Sequence, residues 1–163
     1  NSYYEQNSSW FRWHTDIESR DIYEGIEKVN TGYKEGMING RITQIQVMER
    51  GESGIAKVLK INAEDGELLI YGEHSIRTAL SMTDNTINCH DGTKISNQSI
   101  LPSGYFYVDK VLDGKFRITG GGFGHGVGMS QNGAAAMCAE GMDYKQVLQH
   151  FFSETEIRIV QEQ

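Results

Sequence analysis

Six glycines fall within the nine residues from Gly120 to Gly128, and no other stretch of this 163-residue chain restricts its fold as strongly. Glycine loses more backbone entropy on folding than any other residue, so such a run persists where the backbone needs positive φ or where another backbone or a ligand comes very close. The run leads into Met129-Ser130-Gln131-Asn132-Gly133-Ala134-Ala135-Ala136-Met137-Cys138-Ala139-Glu140, which predicts an Ala-rich helix. Gly141 follows where a left-handed C-terminal cap belongs. A helix start collects free N–H groups and the positive end of the dipole. The junction therefore favours a carboxylate, an oxyanion or a hydroxyl-rich ligand.

A nucleotide is the first ligand to exclude. The Gly-x-Gly-x-x-Gly register fails from Gly122, Gly124 and Gly126, which reach Val127, Met129 and Gln131, and no Gly-Lys-Ser/Thr follows. A serine nucleophile on a Gly-x-Ser-x-Gly turn fails as well, because Asn132 replaces the second glycine. Ser130 reads first as a helix N-cap. Gln131 offers its amide to a sugar hydroxyl or acetamido group, or packs at the helix end. His125, between Gly124 and Gly126, has three readings: a hydrogen bond to a neighbouring strand, a cleft residue contacting substrate or steering a carboxylate, or a metal ligand. No His or Cys at i+2 to i+4 supports the third. His150 reads as a half-buried helix residue, and His14, His74 and His90 have no partner at ligand spacing. Glu140 and Glu154 read as solvated.

Elsewhere, residues 1–36 are polar and aromatic-rich. Trp10, Phe11 and Trp13 call for a partner surface that the chain need not contain, and a helix near Ile17–Val29 is broken by Gly25. The segment reads as the tail of an upstream half or a linker. Residues 37–71 alternate apolar positions around Arg50-Gly51-Glu52-Ser53-Gly54 and Glu64-Asp65-Gly66, the pattern of an antiparallel meander. Ile76, Ala79 and Leu80 have helical spacing. Residues 83–103 predict a loop with one short strand, and 105–112 with 115–119 a hairpin around Asp113-Gly114. Asp143 and Gln146 suit a capping box for a second helix whose apolar face is Val147, Leu148, Phe151 and Phe152. Ile157 to Val160 predict a last strand. The fold class is α+β, a twisted, mostly antiparallel sheet with about three short helices.

With a net charge of −7 and 15 scattered Lys and Arg, the chain lacks the clustered cations of a nucleic-acid footprint. No apolar run approaches the ~20 residues of a membrane span. The start at Asn1, without a secretory signal or initiator Met, suggests a mature or trimmed product. Cys89 and Cys138 lack zinc or scaffold spacing and read as two separate buried thiols; one disulfide stays open in an oxidising compartment.

The run from Gly122 through Asn132-Gly133-Ala134 resembles the signature of the sporulation stage II protein D family (SpoIID/LytB, amidase enhancer). The likeness continues through Ala139, Gly141, Tyr144, Val147-Leu148, His150-Phe151-Phe152 and Ile157, with Gly40-Arg41, Arg77 and Leu80 similar to the family's middle section. It is close over residues 118–157 and loose over 36–160. The resemblance implies a lytic transglycosylase that cuts peptidoglycan strands stripped of stem peptides during engulfment. One carboxylic acid with a raised pKa would protonate the glycosidic oxygen, and the sugar's 6-hydroxyl would close a 1,6-anhydro end.

That family's acid lies in a Glu-Met-Pro motif. The sole proline here is in Leu101-Pro102-Ser103, and the family's Cys-x-x-x-x-His-Cys zinc motif is also absent from the sequence. The resemblance thus implies the C-terminal half of a cleft-forming domain over 37–163, with no catalytic residue, metal or cofactor of its own and inactive alone. His125, Ser130 and Gln131 would face the glycan, shaped by Gly122, Gly124, Gly126 and Gly128. Asn132 and Ser153-Glu154 depart from the family pattern at the loop rim. Implied partners are glycan strands and other sporulation cell-wall proteins, in an extracytoplasmic, cell-envelope setting. The alternatives are a non-catalytic glycan-binding or amidase-enhancing module, or a structural part holding the other half.

Overall fold

A computed structural model of the protein describes residues 4–81, 86–96, 98–111 and 114–158. These form an α+β fold with seven strands and four α-helices, the strand pairs being antiparallel. The chain divides into two compact units: Ser9–Gly126, and the residues up to Ser8 together with those from Val127 onward.

The larger unit is built on a five-stranded sheet of order β5-β4-β1-β7-β6. Its strands are β1 (Trp13–Glu18), β4 (Thr86–Cys89), β5 (Lys94–Ser96), β6 (Phe106–Lys110) and β7 (Lys115–Gly120). Strict alternation in β1 buries Trp13, Thr15 and Ile17 and exposes His14, Asp16 and Glu18. Trp13, Ile17, Ile22, Ile26 and Val29 all belong to this core. Trp13 is only 2% exposed and its indole N–H donates to the Gly122 carbonyl at 3.0 Å, so the aromatics find their partner surface within the chain. The boundary expected at residue 36 falls inside β2 (Lys34–Arg50).

Helix α1 (Ser19–Lys28) follows β1 directly, with a reciprocal capping box between Glu18 and Asp21. Gly25 does not break it. A Cβ at Gly25 would stand 2.3 Å from the Ala79 carbonyl oxygen, so the glycine lets α1 press against α2 (Glu73–Ala79). Ile22 and Ile26 flank this contact on the buried face.

Strand β2 pairs with β3 (Ala56–Tyr71) as a long two-stranded ribbon rather than a three-stranded meander. Asp65-Gly66, expected as a turn, lies within β3 because β2 is long enough to pair with both sides of it. Gly66 takes a φ of +87° where a Cβ would meet the Met37 carbonyl at 2.1 Å. The hairpin turn is at 51–55, where the Gly54 N–H bonds the Gly51 carbonyl and the Gly51 N–H the Ile55 carbonyl. Ile42, Leu59, Ile61, Ile70, Ile76, Leu80, Ile87, Leu101 and Phe116 are fully buried in this unit. Each contributes on the order of 1.5–3 kcal/mol through loss of apolar surface from water.

Between α2 and β6 the expected loop holds two strands, β4 and β5, turned at Asp91-Gly92. The β6–β7 hairpin forms as expected; its turn residues Leu112 and Asp113 lie outside the described residues.

The smaller unit contains α3 (Gln131–Ala139) and α4 (Tyr144–Phe151). Gly141 has the expected positive φ of +92°. Asp143 and Gln146 form the capping box with two 2.9 Å bonds. Met137 and Val147 are buried, whereas His150 is exposed and contacts Tyr4 and Phe151 edge-on. Ile157 and Arg158 are not in a strand, and Ile159 and Val160 lie outside the described residues. Both cysteines are free; Cys89 is buried on β4 and Cys138 is exposed on α3, so the expectation of two buried thiols holds for one.

Candidate functional site

The glycine run leaves β7 at Gly120, whose Cβ position is filled by the Trp13 indole, 2.3 Å away at its nearest atom. Three backbone hydrogen bonds then pin the loop to two segments, the stretch before β1 and the stretch before β6. Gly121 N–H donates to Tyr105 O at 3.0 Å, Gly122 N–H to Trp10 O at 2.8 Å and Gly124 N–H to Pro102 O at 2.8 Å. Gly122, Gly124 and Gly126 all have positive φ, at +78°, +118° and +72°. At Gly126 a side chain would also meet Ile55 at 2.7 Å. The run is thus a defined turn sequence, as its composition predicts. Gly128 does not take a positive φ and belongs to the smaller unit.

Arg77 braces this arrangement from beneath. Its buried guanidinium donates to Leu101 O at 2.7 Å and Pro102 O at 3.2 Å and pairs with Glu73 at 2.5 Å. The Pro102 carbonyl that Arg77 holds is the one that accepts the Gly124 N–H. Ser103 completes the contact through a parallel bridge with Gly124.

The loop presents three side chains to solvent: Phe123, His125 and Val127. Phe123 is 61% exposed, with its ring 4.8 Å from that of Trp10. His125 is exposed, with no hydrogen bond or ion pair among the described residues. The reading in which His125 bonds a neighbouring strand is not realised, because the backbone N–H groups of Gly121, Gly122 and Gly124 make those bonds. Among the described residues no group of three His, Cys, Asp or Glu side chains is placed to hold a metal.

Ser130 and Gln131 belong to the smaller unit, while His125 belongs to the larger. Ser130 is the N-cap of α3: its hydroxyl oxygen accepts the Gly133 N–H at 3.1 Å, and its hydroxyl donates to the Glu5 carboxylate. The capping reading of Ser130 therefore holds. Gln131, first in the helix, is exposed.

One feature escapes sequence reading altogether. Arg12, Arg50, Tyr105, Tyr107 and Thr119 line a cavity of about 450 Å³ together with Gly54, Phe106 and Gly120. Its members are scattered over the chain and meet only through the pairing of β6 with β7 and the return of the β2–β3 turn. The one local signal is Tyr105-Phe106-Tyr107, in which Phe106 is buried and both tyrosines are half exposed.

Comparison with known proteins adds kinship without a functional name. An uncharacterized protein of Brachyspira hyodysenteriae is 36% identical over 80 residues, which are 49% of this chain and 22% of that protein. The chain thus corresponds to about a fifth of the length of this relative. A family profile matches residues 1–128, ending on the last glycine of the run and just past the boundary between the two units. The chain belongs to the family described as a domain of unknown function (DUF8618).

Proposed function

We propose that this chain is the glycan-binding part of a SpoIID/LytB-like peptidoglycan-handling protein, working outside the cytoplasm on strands stripped of stem peptides. The observation that carries the reading is the glycine run itself. Three positive-φ glycines project an exposed His125 and an exposed Phe123 from a loop held by Arg77, Pro102 and Trp10. Sugars are bound by aromatic faces that cover ring C–H groups and by polar groups that exchange hydrogen bonds with hydroxyls. Phe123 with Trp10 supplies the first kind of group and His125 the second. Ser130 is occupied in capping, so Gln131 is the polar side chain of the α3 start left to meet a sugar.

In this reading the parent protein cleaves the strand as a lytic transglycosylase, and the proton donor lies outside these 163 residues. An acid that protonates a glycosidic oxygen needs a raised pKa. Asp16, Glu18 and Asp91 move the other way: Arg117, Lys115 and Ser9 respectively hold their carboxyls below the usual range. The alternative is that this chain by itself is a binding or amidase-enhancing module. Positioned polar groups contribute ~10²-fold to rate. His125→Ala in the full-length protein should therefore cut release of anhydro-muramic ends by about that factor, with Tm and zinc content unchanged. A variant that unfolds, with activity per folded molecule intact, would contradict the assignment.

A further inference from the structure

A cavity lies on the exposed side of β6 and β7. It carries two arginines and two half-exposed tyrosines, and no acidic side chain lines it. Nearby on the same sheet face, Arg117 is neutralised by Asp16 through paired bonds of 2.7 and 2.8 Å. Arg12 and Arg50 are not. Arg12 donates to Phe11 O at 2.6 Å and lies 4.1 Å over the Phe11 ring. Arg50 donates to Gly54 O at 2.8 Å and Phe106 O at 2.6 Å. These acceptors are carbonyls, so both guanidinium groups keep their full charge, and neither has a carboxylate partner among the described residues.

The bonds to backbone also hold each fork in place before any ligand arrives. A guanidinium has five N–H donors in a fixed plane, matched to a carboxylate; one from Arg12 and two from Arg50 are engaged. Tyr105 is seated as well: a Cβ at Gly54 would lie 2.7 Å from its ring, so only glycine lets the tyrosine occupy that place. The volume of about 450 Å³ suits a ligand of monosaccharide size.

We propose that this cavity is a subsite for a carboxylate carried on a sugar ring, with Arg12 and Arg50 taking the carboxylate and Tyr105 and Tyr107 the ring. The inference rests on the glycan reading above and deepens it. Removal of a stem peptide from a peptidoglycan strand leaves a free lactyl carboxylate on each muramic acid, where an intact strand has an amide. The subsite would thereby distinguish stripped strands from peptide-bearing ones.

The test is titration of the 163-residue chain with monosaccharides, followed by amide chemical shifts in NMR. N-acetylmuramic acid should bind at least ~10-fold more tightly than N-acetylglucosamine, which lacks the lactyl group, because hydrogen bonds to a charged acceptor are roughly twice as strong as neutral ones. The perturbed amides should centre on Tyr105–Tyr107, Thr119 and Gly54. Arg12→Gln should remove most of the preference. Since Arg50 also ties down the β2–β3 turn, its role is read without a variant: raising salt from ~0.05 to ~0.5 M should weaken N-acetylmuramic acid binding several-fold and leave N-acetylglucosamine binding unchanged. Glucuronic acid binding as tightly as N-acetylmuramic acid would support the ring-carboxylate subsite while pointing to a uronate polymer as its source. Equal binding of N-acetylmuramic acid and N-acetylglucosamine, with stripped strands still bound, would overturn the subsite alone. Failure to bind any sugar or strand would overturn both the subsite and the glycan reading.

Discussion

Arg77 and Gly124 share one acceptor, the carbonyl oxygen of Pro102, so a buried cation on helix α2 sets the height of the glycine loop. The geometry links a core ion pair to the candidate site through a single backbone oxygen.

Arg77→Met should accordingly lower the stability of the chain by about 2–4 kcal/mol, since it strips two carbonyls of a charged donor and leaves the Glu73 carboxylate unpaired in a largely buried setting. Urea unfolding measures the loss. Arg77→Lys should recover less than half of it, because an ammonium cannot match the fork that spans Leu101, Pro102 and Glu73.

Gly126→Val should cost about 2–4 kcal/mol, combining a β-branched residue at positive φ with a clash against Ile55. Gly126→Ala should cost less, because it keeps the backbone strain and shortens the reach toward Ile55. Thermal unfolding of the two variants separates the terms.

Gly25→Ala tests the seam between α1 and α2. On propensity alone the change stabilises a helix by roughly 1 kcal/mol. Here the added methyl would meet the Ala79 carbonyl at 2.3 Å, so the variant should instead be destabilised, by about 1–3 kcal/mol. A rise in Tm would show that the helices do not meet at this residue.

These positions also show what the sequence could and could not reveal. The Asp143–Gln146 capping box, the Gly141 cap and the β6–β7 hairpin were legible because each depends on residues within a few positions of one another. Gly25 and Asp65-Gly66 were misread for the converse reason: the atoms that explain them, the Ala79 and Met37 carbonyls, are brought close by tertiary packing. At the site, the positive-φ glycines and the Ser130 cap could be inferred locally. Arg12, Arg50 and Tyr107 could not, since nothing near them in the chain announces a shared cavity.

The β4–β5 turn carries a pH signature. The Ser9 hydroxyl and the Thr93 backbone N–H bond the Asp91 carboxylate and hold its pKa down to about 2, from an ordinary value of 3.8. A folded-state pKa below the unfolded one adds stability that is fully present above the unfolded value and is lost as pH falls through the folded value. The turn should therefore loosen between about pH 4 and pH 2, with the Asp91 carboxyl titrating near 2 by NMR. Ser9→Ala should move that titration upward toward the ordinary value.

The central claim is that this chain holds glycan strands bare of peptide, and co-sedimentation with peptidoglycan tests it most directly. Purified chain should pellet saturably with sacculi whose stem peptides have been removed by an amidase, pellet less with untreated sacculi, and release no anhydro-muramic ends from either. His125→Ala should weaken the binding by about 10-fold, the worth of a charged or well-placed polar contact, at unchanged Tm. Equal and unsaturable pelleting with both preparations, or none with either, would contradict the account.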